Sequence, residues 1–154
     1  MMKKQYSNDE LRRKAASYCS MAEHCISDVE IKLKAWGVSP ENSQEIVSHL
    51  LEQDFINEQR YARAFVREKF EINKWGKIKI LLALKEKGID KDSINNALAH
   101  IDEGEYEELL ARLLKSKLQT ISYEYEYEKQ GKLFRFAQSR GFESNVIEKV
   151  LRRV

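Results

Sequence analysis

Proline is almost missing from this chain: Pro40 is the only one in 154 residues, and glycine occurs just six times. These scarcities exclude collagen-like, polyproline and flexible-linker architectures, and leave little to interrupt helices. Cysteine is scarce as well. Cys19 and Cys25 stand six residues apart on a helical stretch and share no face. That spacing fits neither a CxxC pair nor a zinc ligand set. His24 adjoins Cys25, but His49 and His100 belong to other helices. No metal site is expected, and both thiols read as packing or surface groups. No run approaches the roughly 18 apolar residues of a membrane span. Met1-Met2-Lys3-Lys4 is basic enough to open a signal peptide, but polar residues follow. A cytoplasmic protein with no membrane partner is expected.

Net charge is also small, at +2, which argues against a protein that lives on bulk DNA. Catalytic hallmarks are missing too. There is no Gly-rich phosphate loop and no Ser or Cys in a nucleophile motif. Glutamates gather at helix starts or in a tyrosine-rich segment, where capping and solvation explain them. Neither enzymatic activity nor a cofactor is expected.

What the chain does have is a threefold recurrence. Trp36-Gly37-Val38, Lys87-Gly88-Ile89 and Arg140-Gly141-Phe142 each read as a helix stop, with a glycine in the left-handed conformation and an apolar residue after it. The glycines lie 51 and 53 residues apart. Each stop has a matching start. Ser7, Asn57 and Asp102 read as N-caps, preceded by Tyr6, Ile56 and Ile101 as hydrophobic staples. Cap-to-glycine counts are 30, 31 and 39, so unit three carries about eight extra residues. After each stop comes an apolar triplet at helical spacing: Val47, Leu50, Leu51; Ile94, Ala97, Leu98; Ile147, Val150, Leu151. The fold class is therefore all-α: three tandem three-helix repeats, over 1–56, 57–101 and 102–154, forming an elongated, curved array.

Local patterns fill in the faces. Ser27 reads as the cap of the second helix, closing a capping box with Glu30, and Val29, Leu33 and Trp36 point to a core. Ser39-Pro40 starts the third helix. In unit two, Tyr61, Phe65 and Ile72 share one face. Ile78, Leu81 and Leu82, flanked by Ile80 and Leu84, give the next helix a wide apolar surface, as befits a central element. Ile121-Ser122-Tyr123-Glu124-Tyr125-Glu126-Tyr127-Glu128 alternates like a strand, but a lone strand has no partner. The extra residues are placed here, as a looser connector running into a helix over Lys129 to Ser139 or as one longer continuous helix.

Charge is uneven along the chain. Residues 1–56 hold seven cations against nine carboxylates, residues 57–101 ten against six, and residues 102–154 ten of each. The excess sits in the middle unit. Arg60, Arg63 and Arg67 lie within about 60° of one another on a helix, and Lys74, Lys77 and Lys79 follow around the next junction. A solvated face is one reading of this stripe. A contact surface for an acidic partner or a nucleic-acid backbone is the other.

The run Asp54-Phe55-Ile56-Asn57-Glu58-Gln59-Arg60-Tyr61-Ala62-Arg63-Ala64-Phe65-Val66-Arg67, then Trp75-Gly76-Lys77-Ile78, then Leu84-Lys85-Glu86-Lys87-Gly88-Ile89, resembles the core signature of the RecX family, bacterial regulators of the RecA recombinase. The resemblance spans nearly the whole chain, with Arg12 standing where Tyr61 and Tyr106 carry aromatic rings. It implies a regulator of DNA repair, homologous recombination and the SOS response. Such a regulator binds RecA filaments on single-stranded DNA, in their helical groove. It limits filament growth and lowers ATP hydrolysis, strand exchange and coprotease activity. Arg60, Arg63, Arg67, Lys74, Lys77 and Lys79 are the expected contact residues, with weak direct DNA contact as a further expectation and a monomer as the expected state. The alternatives are a helical DNA-binding module, since helix, glycine turn and helix superficially resemble a helix-turn-helix, and a scaffold for some other protein.

Overall fold

The computed structural model describes residues 6–154; the basic opening Met1 to Lys4 lies outside them. Among the described residues there are nine helices and no strand: α1 (Asn8–Met21), α2 (Ile26–Ala35), α3 (Pro40–Glu52), α4 (Glu58–Glu71), α5 (Lys77–Glu86), α6 (Lys91–Leu98), α7 (Glu103–Leu118), α8 (Glu126–Ser139) and α9 (Ser144–Leu151). None is long and apolar enough to cross a membrane. The starts are those expected. Ser7 accepts from the Glu10 amide, Asn57 from Arg60 and Asp102 from Glu105, at 3.0–3.2 Å. The stops are Schellman motifs: Gly37, Gly88 and Gly141 have φ of +82°, +78° and +96°. The amides of Val38, Ile89 and Phe142 reach back five residues, to Leu33, Leu84 and Ala137.

Several faces differ from expectation. Ser27 lies inside α2, which is preceded by Cys25 with no side-chain cap. Ile72 falls past the end of α4 and is 74% exposed. The buried face of α4 is Tyr61, Ala62, Val66 and Phe70, with Phe65 half-buried at its edge. On α5 the flanking residues Ile80 and Leu84 are fully buried, while Ile78 and Leu82 are 44% and 55% exposed. Core packing takes one narrow stripe of that helix rather than its whole apolar surface. Leu51 of the first triplet is exposed as well. Counted from the caps, Leu11 is the equivalent of Tyr61 and Tyr106, and all three are buried; Arg12 stands one place further on. In unit three, α8 begins three residues earlier than expected. The additional length is two residues on α7, two on the connector and four on α8, relative to α4 and α5. Lengthened helices, not a loose insertion, hold most of it, and Tyr123, Tyr125 and Tyr127 remain exposed.

The three units do not make three cores. Unit one has its own cluster, built from Leu11, Ala15, Cys19, Val29, Leu33, Ile46, Val47, Leu50 and Ile56. The helices of units two and three share a second. Phe70, Tyr106 and Phe142 run through that cluster as a chain of rings, with centroids 6.1 and 5.1 Å apart. Cys25 is the exception from unit one: fully buried, it packs into the shared core.

Neighbouring units cap one another's helices. A free helix start leaves four backbone donors unpaired. At α5 the Gly76 amide donates to the Arg140 carbonyl (2.7 Å), Lys77 to the Tyr106 hydroxyl (2.9 Å) and Ile78 to the Gly141 carbonyl (2.9 Å). All three acceptors come from unit three. The Tyr106 hydroxyl donates in turn to Glu143. The approach is so close that a Cβ on Gly76 would stand 2.3 Å from the Gly141 backbone. The other end of α5 belongs to unit one, where Ser27 donates to the Lys87 carbonyl (3.0 Å) and Asp28 accepts from the Lys87 ammonium (2.8 Å). Glu58 of unit two faces the Ile26 amide at the start of α2, which favours its ionised form.

The carboxylates at this junction titrate in opposite senses. Burial opposes ionisation of Asp28, but the hydrogen bond and charge of Lys87 outweigh it and hold Asp28 below the ordinary range. Burial pushes Glu58 up, and Asp90, Asp28 and Glu30 add to the push. Its second oxygen is buried without a partner. A raised carboxyl destabilises the fold once it ionises, so stability is lost as pH rises through the folded pKa.

Two outcomes follow for stability. Gly76→Ala must displace backbone and is expected to cost about 3 kcal/mol or more. Gly37→Ala, at a site open to solvent, should cost only the left-handed strain of about 1 kcal/mol; urea unfolding of both variants checks the difference. Glu58→Gln keeps the acceptor for Ile26 and removes the charge. It should stabilise the protein at pH 7, on the order of 0.5 kcal/mol, with the gain fading toward pH 4 in the same measurement.

Candidate functional site

The six cations on and after α4 fall into different environments. Arg60 is committed within the protein. Its guanidinium bonds Glu23 of unit one and Asp54, and also reaches the Asp54 carbonyl at 3.0 Å. The Glu23 hydrogen bond, together with the charges of Glu23 and Asp54, outweighs desolvation and favours the charged form further. Lys77 is committed as well. Its ammonium pairs with Glu103 and sits 4.6 Å from the centre of the Tyr106 ring. A cation in the first turn of α5 opposes the helix dipole, and Glu103 offsets it. Lys79 lies over Trp75, 4.6 Å from the ring centre, and Lys69 approaches the same ring at 5.0 Å. Lys69 also reaches Phe65, which lies about 160° around α4 from Arg63 and Arg67. Lys79 therefore belongs to a different side of the unit.

Arg63, Arg67 and Lys74 remain. All three are exposed and form no ion pair or side-chain hydrogen bond among the described residues. Arg63 and Arg67 line a cleft of about 260 Å³ between α4, the end of α6 and the start of α7. Val66, Phe70, Ala97 and Ile101 contribute its apolar lining, and Glu71, His100 and Glu105 its polar one. The His100 ring pairs through Nδ1 with the Asn96 carbonyl at 2.8 Å. A second cleft of about 370 Å³ shares Phe70, Glu71 and Glu105 with the first and continues past Lys74 to Glu108, Leu109 and Arg112 of α7. The two form one trough along α4 and α7.

Lys74 is held there at a conformational cost. Its φ is +58°, a left-handed backbone that disfavours a residue with a Cβ by roughly 1–2 kcal/mol. Glycine would relieve that strain, and no described residue pairs with the lysine side chain. The turn itself ends α4, as the like turn at Asp54 ends α3.

Sequence reasoning missed the acidic half of the trough. Glu71 stands one helical turn after Arg67 and was within reach of a local pattern search. Arg112, Glu105 and Glu108 were not, because only the packing of α7 beside α4 brings them to this cleft.

The sorting has a measurable consequence. Arg60→Ala and Lys77→Ala remove contacts between units, and each should lower the unfolding free energy by about 1 kcal/mol. Arg63→Ala and Arg67→Ala should stay within about 0.5 kcal/mol of the parent. Denaturant titration of the four variants distinguishes the groups.

Comparison with known proteins places this architecture. The family model described as the second three-helix domain of RecX matches residues 57–98, and that of the third three-helix domain matches residues 105–151. Together they span more than half of the chain. The regulatory protein RecX of Lactobacillus johnsonii is 29% identical over 153 residues, covering 97% of this chain and 55% of that protein. That of Lactobacillus delbrueckii subsp. bulgaricus is 33% identical over 104 residues, covering 68% of this chain and 38% of the relative. The chain thus spans about half the length, or less, of these curated relatives. A crystal structure of RecX from Lactobacillus salivarius superposes with a TM-score of 0.86 at 25% identity, covering 95% of both chains. A second RecX crystal structure, 24% identical with a TM-score of 0.83, covers 99% of this chain and 81% of that one and shares the fold. With both family domains, the relatives and the fold in agreement, this chain belongs to the RecX family.

Proposed function

We propose that this chain is a non-catalytic cytoplasmic regulator. It binds RecA filaments assembled on single-stranded DNA and inhibits the recombinase, ATPase and coprotease activities of RecA. Membership of the RecX family carries this reading, since the relatives are named regulatory proteins. The unpaired cations of the trough support it. Among the described residues Arg63, Arg67 and Lys74 form no ion pair, whereas Arg60 and Lys77 do. The contact surface is therefore Arg63, Arg67 and Lys74, with Lys79 on a second side beside Trp75. Tandem units offer several surfaces on one chain. Contact with adjacent protomers raises the effective concentration at each second contact and selects the filament over free RecA.

The test is a RecA ATPase assay on single-stranded DNA with the protein titrated in. Strong inhibition well below one protein per RecA is expected, and Arg63→Glu combined with Arg67→Glu should abolish it while the circular dichroism spectrum stays helical. Unchanged inhibition by that variant would remove the surface assignment. Tight, steeply salt-dependent binding to duplex DNA without RecA would favour a DNA-binding module instead.

A further inference from the structure

The trough along α4 and α7 carries charges of both signs, and none of them is paired among the described residues. Arg63, Arg67, Lys74 and Arg112 supply the positive groups. Glu71, Glu105 and Glu108 supply the negative ones. No two of the seven form an ion pair, although salt bridges occur elsewhere, as between Lys87 and Asp28 or Lys149 and Glu107. Beneath them lie Val66, Phe70, Ala97, Ile101 and Leu109.

A nucleic-acid backbone is a poor occupant for such a site. Its phosphates carry one sign of charge. Seated against Arg63 and Arg67, it would run on past Glu71, Glu105 and Glu108. Like charges brought together at a partly desolvated contact are strongly unfavourable and serve to reject wrong partners. The apolar lining also has little to offer a phosphate. A protein segment can match all three features, and interfaces of that kind place an apolar anchor at the centre and charges at the rim.

The geometry points to the trough as a docking site for a protein segment of mixed charge, not for the DNA strand. The segment lies across Phe70 and Ile101, each about 8% exposed at the floor of the trough. It presents a carboxylate toward Arg63 and Arg67 and a cation toward Glu105 and Glu108. This rests on the proposed regulation of RecA filaments and assigns the trough to the protein component of the filament. Glu105 and Glu108 become specificity-determining residues, a role that cation counting alone does not reveal.

The experiment uses the full chain and Glu105→Gln combined with Glu108→Gln, with circular dichroism as the check on folding. Two quantities are read: the half-inhibitory concentration for RecA ATPase on single-stranded DNA, and affinity for a fluorescent oligo(dT) without RecA. A protein partner predicts that the variant inhibits about fivefold less well or worse, because its cation loses its counterpart, with oligo(dT) affinity changed by less. If the variant inhibits equally well or better, the inference is overturned. Tighter oligo(dT) binding alongside would identify the strand as the ligand. If the parent protein leaves RecA ATPase untouched, the regulatory reading falls and this inference falls with it. A parent that inhibits and a variant that matches it removes this inference alone.

Discussion

The pairing of backbone donors at the start of α5 with acceptors from unit three is the contact on which the arrangement depends. Three consecutive amides, from Gly76, Lys77 and Ile78, find the Arg140 carbonyl, the Tyr106 hydroxyl and the Gly141 carbonyl. A buried donor left unpaired costs about 1–3 kcal/mol, so α5 and unit three hold each other in one register. The helix stop of α8 thereby serves a second purpose: the turn that ends one helix starts another. Glycine is required on both sides because a Cβ on either Gly76 or Gly141 would overlap its neighbour.

This exchange explains the unequal joints between the units. Units two and three are fused by a shared core and a chain of three aromatic rings. Unit one keeps a separate core and meets unit two mainly through polar groups: Glu23 with Arg60, Asp28 and Ser27 with Lys87, and Glu58 with the start of α2. The first joint is mostly apolar burial, with the Lys77–Glu103 pair at its edge. The second contains ionised pairs that weaken with salt and a carboxyl that resists ionisation. Among the described residues, Cys25 is the one buried side chain of unit one that packs into the shared core.

The same physics separates the cations. Local periodicity put Arg60, Arg63 and Arg67 on one stripe, and they do share a side of α4. Periodicity says nothing of what the neighbouring units bring to that side. Unit one brings Glu23 to Arg60 and neutralises it. Unit three brings Glu103 to Lys77. It brings Glu105, Glu108 and Arg112 beside Arg63, Arg67 and Lys74 without pairing any of them. The basic stripe thus becomes a trough of both signs, and the number of cations available to a partner falls.

Much of the fold was legible in the chain because its determinants are local. Caps at Ser7, Asn57 and Asp102 act within three residues, and each glycine stop acts within five. Helix starts, helix stops and the repeat are consequences of such short-range contacts. Errors arose where the deciding partner was distant. Ser27 reads locally as a cap, but it lies inside α2 and its hydroxyl donates to the Lys87 carbonyl of another unit. Ile78 and Leu82 look central by composition, yet the shared core buries Ile80 and Leu84, with Leu81 packed against it, and leaves those two exposed. The sequence by itself determined the elements and their threefold order, since hydrogen bonds between near neighbours specify them. Only the tertiary structure decided which units share a core and which charges stay unpaired, because residues distant in the chain meet there and no local pattern encodes their approach.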